Sequence, residues 1–152
     1  MIILNILTLF PEAFPGILQH GLLGKALLKN HFKINTINIR DYSNLSANSV
    51  DDKPFSGGAG MILRPDIISK AIEANFNKDE LDTFMKICFS AKGKNFSQND
   101  LIQNKSNQNF ILLNVSNKNY ANEVSLELRK FNFDFVRYIF DFHSISFNNL
   151  NL

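Results

Sequence analysis

Apolar and polar positions switch between two periods along this chain. Ile2 to Leu9 is a short, nearly continuous apolar run closed by Phe10-Pro11-Glu12, the pattern of a strand buried on both faces of a parallel sheet. Pro11 suits a first helical position and Glu12 a first turn, and Phe14, Ile17 and Leu18 are spaced for one helical face that Pro15-Gly16 shortens or breaks. Gly21 interrupts, and Leu22 to Lys29 predicts a second helical piece ending near Asn30. Phe32 to Ile39 alternates and predicts a second strand, with Arg40-Asp41-Tyr42 at its end and a polar loop over Ser43 to Ser49. Ile67, Ile68, Ala71 and Ile72 predict a helix over Asp66 to Ala74 that Pro65 opens, followed by a polar turn over Asn77 to Leu81. Phe84 to Phe89 predicts a third buried strand, with Ser90 to Lys94 as a loop at its end. Ser97 is placed to cap a short helix through Ile102, Asn104 to Gln108 predicts a loop, and Phe110 to Leu113 a fourth strand. Strands alternating with helices predict an α/β fold: a mostly parallel sheet flanked by helices, with right-handed crossovers.

The character changes after Leu113. Asn114 to Asn122 is polar and rich in Asn and Lys, Val124 to Leu128 suits a helix, and Phe131 to Phe135 alternates like a strand. Phe140 to Phe147 is aromatic but interrupted by polar residues, and the last five residues are expected to fray.

Composition narrows this picture only a little. The chain has 152 residues, about one domain, with 45% hydrophobic and 20% charged residues, fifteen Phe and no Trp. A net charge of +2 favours neither a polyanionic partner nor its exclusion. The single Cys88 excludes an internal disulfide, fits a reducing compartment, and lies in an apolar run that favours an inert buried thiol. His20 and His31 sit at element boundaries without ligand partners at metal spacing, so no metal site is expected. No basic leader and no apolar run of about 18 residues are present, so a cytoplasmic protein with no membrane partner is expected.

Candidate chemistry concentrates in Val50 to Asp66, VDDKPFSGGAGMILRPD. Asp51 and Asp52 lead into Gly57, Gly58 and Gly60, where the backbone is free to take positive φ and to approach a ligand closely. Carboxylates accept hydrogen bonds from N–H donors of a ligand, but an aspartate here suits a turn cap or a pair with Lys53 or Arg64 somewhat better. By composition alone the loop is a tight turn or a binding surface. Arg40, Lys53, Arg64, Lys92 and Lys94 stand at predicted strand ends, as phosphate contacts or as solvated charges. Neither GxGxxG nor a Walker motif is present.

Leu9-Phe10-Pro11-Glu12 with Phe14, Gly24-Lys25-Ala26, Ile39-Arg40-Asp41-Tyr42 and above all VDDKPFSGGAGM resemble the bacterial tRNA (guanine-N1)-methyltransferase family, of SPOUT fold. Ser90 to Lys94 is similar to that family's strand-end Ser-Pro-x-Gly-Arg, and Asn104-Lys105 with Phe110 to Leu113 to the strand leading to its cofactor site. The resemblance implies methyl transfer from S-adenosylmethionine to N1 of the guanine beside the anticodon, on tRNA, by a homodimer with shared active sites. It implies substrate-binding roles for Asp51, Asp52, Gly57, Gly58, Gly60 and Arg40, and an adenosine-bordering role for Ser90 and Ala91.

Departures from the family pattern are expected to matter. Leu45 to Asn48 replaces a basic, His-containing run, Phe55 and Ser56 stand for Tyr and Gly, Ala91 for Pro and Lys94 for Arg. Residues 1–113 therefore match a SPOUT-like methyltransferase portion, and 114–152 form a divergent tail. Asn114-Val115-Ser116-Asn117-Lys118 occupies the place of the knot-forming GRYEGID segment, and the later SIGDYVLSGGE loop, the C-terminal domain and its general-base aspartate find no counterpart. No catalytic residue is therefore assigned. The break is expected to reflect a frameshift, a degraded gene or a truncated product, and the alternative function is an inactive relative lacking the cofactor loops. A foreign tail would leave Phe131 to Phe147 poorly packed and the chain prone to aggregate.

Overall fold

In the computed structural model, residues 1–53, 61–95, 97, 99–100, 109–114, 131 and 133–137 are described, with 90–95, 114 and 134–137 described as backbone. Along the chain run β1 (Ile2–Thr8), α1 (Gly21–Leu28), β2 (Phe32–Asn38), β3 (Asp51–Asp52), β4 (Ile62–Leu63), α2 (Pro65–Asn75), α3 (Lys78–Leu81), β5 (Met85–Asn95), β6 (Asn109–Asn114) and β7 (Asp134–Arg137). Five strands form one sheet in the order β2-β1-β6-β5-β7, and every neighbouring pair is parallel. The carboxyl ends of all five therefore share one edge, where open α/β sheets place their ligands. The expected α/β class and the four expected strands up to Leu113 are present, whereas the strand expected over Phe131 to Phe135 is shifted to Asp134–Arg137.

Strand pleating divides the apolar residues between the two faces. Leu7, Ile37, Cys88, Ile111 and Leu113 join Ile67, Ile68, Ala71 and Ile72 of α2 in the larger core, whereas Met85, Ile87 and Phe110 pack with Leu4 and Leu112 in a smaller one. Phe131 and Phe133, at 9% and 8% exposure, belong to the larger core, and β7 completes the edge beside β5. The expectation of a poorly packed tail does not hold for these two residues. A polar pair crosses the sheet as well: buried Asn5 donates through Nδ2 to Phe110 O at 3.2 Å and accepts from Asn35 Nδ2 at 2.9 Å.

Four local expectations are corrected. Phe14, Ile17 and Leu18 do not form one helical face, because the chain makes two separate 3-10 turns, Pro11–Ala13 and Gly16–Gln19. Phe14 is extended between them, since the residue before a proline is driven out of the helical region. Asn77 to Leu81 is a helical turn rather than an open one, closed by a capping box between Asn77 and Glu80. Val50 to Asp66 contains a two-stranded antiparallel ribbon, β3 with β4, where only a loop and a helix start were expected. Ser90 to Lys94 is not a strand-end loop: β5 continues to Asn95, although its register against β7 slips between Phe89 and Lys94, both of which lie opposite Val136. The slip has the character of a bulge. Ser97 does cap a helical turn, its Oγ accepting from Asp100 N at 3.4 Å. The rest of that helix, the Asn104 to Gln108 loop, the Val124 to Leu128 helix and everything after Arg137 lie outside the described residues.

Candidate functional site

The ribbon that follows β2 is pinned from below. Val50 is 2% exposed and Ile62 is 4%, so one side of the ribbon sits on the larger core. Arg64 N donates to Val50 O at 2.7 Å, which prolongs the ladder of Asp51 opposite Leu63 and Asp52 opposite Ile62. Pro65 then opens α2 directly from the ribbon's end, and Ile67, Ile68 and Ile72 fasten that helix into the core.

Pleating separates the two aspartates. Neighbouring strand residues point to opposite faces, so Asp51 and Asp52 do not form one paired carboxylate surface, although both are exposed. Asp52 shares its face with Ile62 and, diagonally, with Arg64, whose Nη1 lies 3.7 Å from Asp52 Oδ2. Its Oδ1 accepts from the backbone N of Lys53 at 2.7 Å. Asp51 points the other way, and its Oδ1 accepts only from the Ser49 hydroxyl, at 3.2 Å, among the described residues. Among the described residues the turn-cap or ion-pair reading thus holds for Asp52 and not for Asp51.

Arg64 is shared. Its Nε and Nη2 form a fork on Asp66, at 3.1 Å to Oδ1 and 3.0 Å to Oδ2. That hydrogen bonding holds the Asp66 carboxyl below its ordinary value against the opposing effect of burial, and raises Arg64. Asp66 and this fork were not among the residues singled out by sequence. Their signal is the Arg-Pro-Asp order, in which proline starts the helix and sets the aspartate in its first turn beside the preceding arginine.

Arg40 stands at the carboxyl edge of β2, in a 3-10 turn over Ile39–Tyr42 whose start is capped by Asn38 Oδ1 accepting from Arg40 N at 3.1 Å. Asn38 also donates to Asp41 Oδ1 at 3.0 Å, and Tyr42 Oη accepts from Asn75 of α2 at 2.6 Å. Arg40 is half-buried and makes no ion pair among the described residues. The turn and the ribbon therefore hang on opposite ends of the same helix. Gly57, Gly58 and Gly60 lie outside the described residues, and Met61, which follows them, is 49% exposed. Ser90 and Ala91 lie in β5 at the point where its pairing with β7 slips.

Other candidate chemistry is quieter. Cys88 is fully buried, and burial pushes its thiol up from 9.0 to about 12. Among the described residues no cluster of three His, Cys, Asp or Glu side chains is poised to hold a metal, and no helix is long and apolar enough to cross a membrane. Among the described residues the one buried side-chain polar atom without a partner is Ser69 Oγ, in α2.

The family model for tRNA (Guanine-1)-methyltransferase TrmD matches residues 2–126, which runs past Leu113 into the polar segment. A tRNA (guanine-N(1)-)-methyltransferase of Agrobacterium fabrum is 44% identical over 95 residues, 62% of this chain and 40% of that protein. One from Rickettsia prowazekii is 43% identical over 110 residues, 72% of this chain and 46% of the relative, and one from Staphylococcus epidermidis is 43% identical over 95 residues, 62% and 38%. The chain thus spans less than half the length of these relatives. With a matched model over most of its length, a parallel α/β sheet and the two-aspartate ribbon beside it, the chain belongs to the tRNA (guanine-1)-methyltransferase family.

Proposed function

We propose that this chain carries the guanine-holding part of a tRNA guanine-N1 methyltransferase, acting on the guanine beside the anticodon with S-adenosylmethionine as methyl donor. The observation that carries this reading is Asp51, an exposed carboxylate on the open face of an anchored ribbon, with a single hydroxyl partner among the described residues. A carboxylate so placed accepts from guanine N1–H and N2–H together, a pairing that fixes the base edge and rejects bases lacking those donors. Methyl transfer needs N1 held in line with the donor and its proton removed. Asp51 serves recognition of the base edge before reaction, and no residue of this chain is assigned the in-line alignment or the proton removal. Gly57, Gly58 and Gly60 would pack under the base or the cofactor, while Arg40 and Lys53 contact phosphates and make binding salt-dependent. Ser90 and Ala91 border the adenosine side. When bound, S-adenosylmethionine supplies the electrophilic methyl, and no step through it is derived from the described residues. tRNA and a second copy of the chain are the partners of this reading, in the cytoplasm, with 1–113 as the methyltransferase portion and 114–152 as a divergent tail.

The test is a titration of the whole chain with a labelled anticodon stem-loop RNA carrying guanosine, then with its inosine counterpart, which lacks the N2 donor. Guanosine RNA should bind more tightly, and Asp51→Asn should erase about 5- to 150-fold of preference, the range of about 1–3 kcal/mol for one good bidentate contact. Equal affinity for both RNAs in the unmodified chain would end this reading. A second reading, an inactive relative that recognises RNA without holding the donor, is favoured by Asn114-Val115-Ser116-Asn117-Lys118 in the place of a glycine-bearing segment. Calorimetric titration with S-adenosylmethionine separates the two. Heat of binding below millimolar ligand supports the first reading, and its absence supports the second.

A further inference from the structure

We propose that Arg64 is a positioning residue for this site: clamped by Asp66, it anchors Asp52 to one face of the ribbon and leaves Asp51 as the single carboxylate offered to a guanine edge. The inference rests on the guanine-holding reading above and assigns the parts within it. Arg64 sits at a junction. Its backbone N closes the ribbon onto Val50 O at 2.7 Å, and as the residue before Pro65 it enters α2. Its guanidinium is divided, with Nε and Nη2 on Asp66 and Nη1 left toward Asp52.

The planar fork matters here. A bidentate carboxylate fixes the plane of a guanidinium, so the direction of Nη1 is set by α2 rather than by Asp52. That helix is held by Ile67, Ile68 and Ile72, at 2%, 0% and 0% exposure, and so supplies a rigid reference. The ion pair to Asp52 is longer and more exposed, with side-chain exposures of 31% and 59%, so its worth lies in orientation more than in stability. Asp52 is doubly tied, by Arg64 Nη1 and by the Lys53 amide, whereas among the described residues Asp51 has only Ser49. Two adjacent like charges at a binding edge are thereby turned into one tethered and one available. Among the described residues the charged groups facing Arg64 are Asp52 and Asp66, and Lys70 acts on Asp66 from the next turn of α2.

Arg64→Lys keeps the charge but not the fork, and Asp66→Asn keeps the shape but weakens the clamp. Two readouts are taken on the unmodified chain and both variants: the preference for guanosine over inosine stem-loop RNA, and the hydrogen-exchange rate of the Lys53 amide. Both variants should lower the preference about 2- to 5-fold while affinity for the inosine RNA stays level, the scale of an exposed ion pair. The Lys53 amide should exchange faster in both, with amides of β1 and β6 unchanged. An unchanged preference, or unchanged Lys53 exchange, would overturn the positioning role. A uniform loss of affinity for both RNAs would also overturn it, because a merely structural contact behaves that way. If the unmodified chain shows no preference for guanosine, the functional reading fails, and Lys53 exchange alone then decides whether Arg64 anchors Asp52.

Discussion

Truncating Ile68 to alanine tests whether α2 is the anchor of the site. Ile68 is 0% exposed and joins Leu7, Ile39 and Ile111 in the larger core from α2, the helix that has Arg64 and Asp66 at its start. Three methylene equivalents are removed, worth about 2.4 kcal/mol at about 0.8 kcal/mol each. The void left in a packed core adds to this, bringing the expected loss to about 3–4 kcal/mol, within the range of about 2–5 for such truncations. Urea unfolding followed by circular dichroism measures it. With a slope of about 2 kcal/mol per M the midpoint should fall by about 1.5–2 M with the slope retained. Ile17→Ala is the paired control: the same chemistry at a residue 85% exposed should stay within about 0.5 kcal/mol. A loss under about 1 kcal/mol for Ile68→Ala, or equal losses for both variants, would refute the claim that α2 is held by burial.

Other expectations concern buried polar and ionisable groups. Asn5→Val should cost about 1–3 kcal/mol in the same unfolding assay, because Phe110 O loses its side-chain donor and Asn35 Nδ2 its acceptor. A second substitution, Asn35→Val, should then add little, since the bond to be lost is already gone. Cys88 should resist thiol reagents in the native chain at mildly alkaline pH and react once denatured, as its thiol is pushed up to about 12. Linkage follows from that raised value: the contribution of Cys88 is complete below 9.0 and is lost as pH climbs toward about 12. Asp66 runs the other way. Its carboxyl is held below the ordinary 3.8, so what it contributes is present above that pH and fades as pH falls through the lowered value. The stability difference between the unmodified chain and Asp66→Asn should therefore shrink in acid, measured by unfolding at neutral pH and well below 3.8.

What sequence revealed here was set by how local the cause was. β1, β2 and β6 are legible because continuous or alternating apolar runs have no better use than a sheet interior, and α2 because four apolar residues repeat at helical spacing after a proline. β5 is legible over Met85 to Phe89, but not beyond, because Ser90 to Lys94 has loop composition, and strand pairing with β7, more than forty residues away, overrides it. The same long reach hid the burial of Phe131 and Phe133, whose partners lie far back in the chain. Asp51 and Asp52 were visible as residues but not as two different groups: their separation needs the ribbon, and a two-residue strand is too short to declare a period of two. The Arg64–Asp66 fork was hidden for a related reason. Its geometry depends on where α2 begins, to within one residue.

The central claim is that the Val50 to Asp66 ribbon meets the guanine through Asp51. Backbone amide shifts of the isotope-labelled chain, followed by NMR as the guanosine stem-loop is added against its inosine counterpart, test it most directly. The difference between the two RNAs should centre on Ser49, Asp51 and Leu63, with Asp52 and Lys53 less affected. Differences centred on α1 or the smaller core, with Asp51 and its neighbours unmoved, would contradict it.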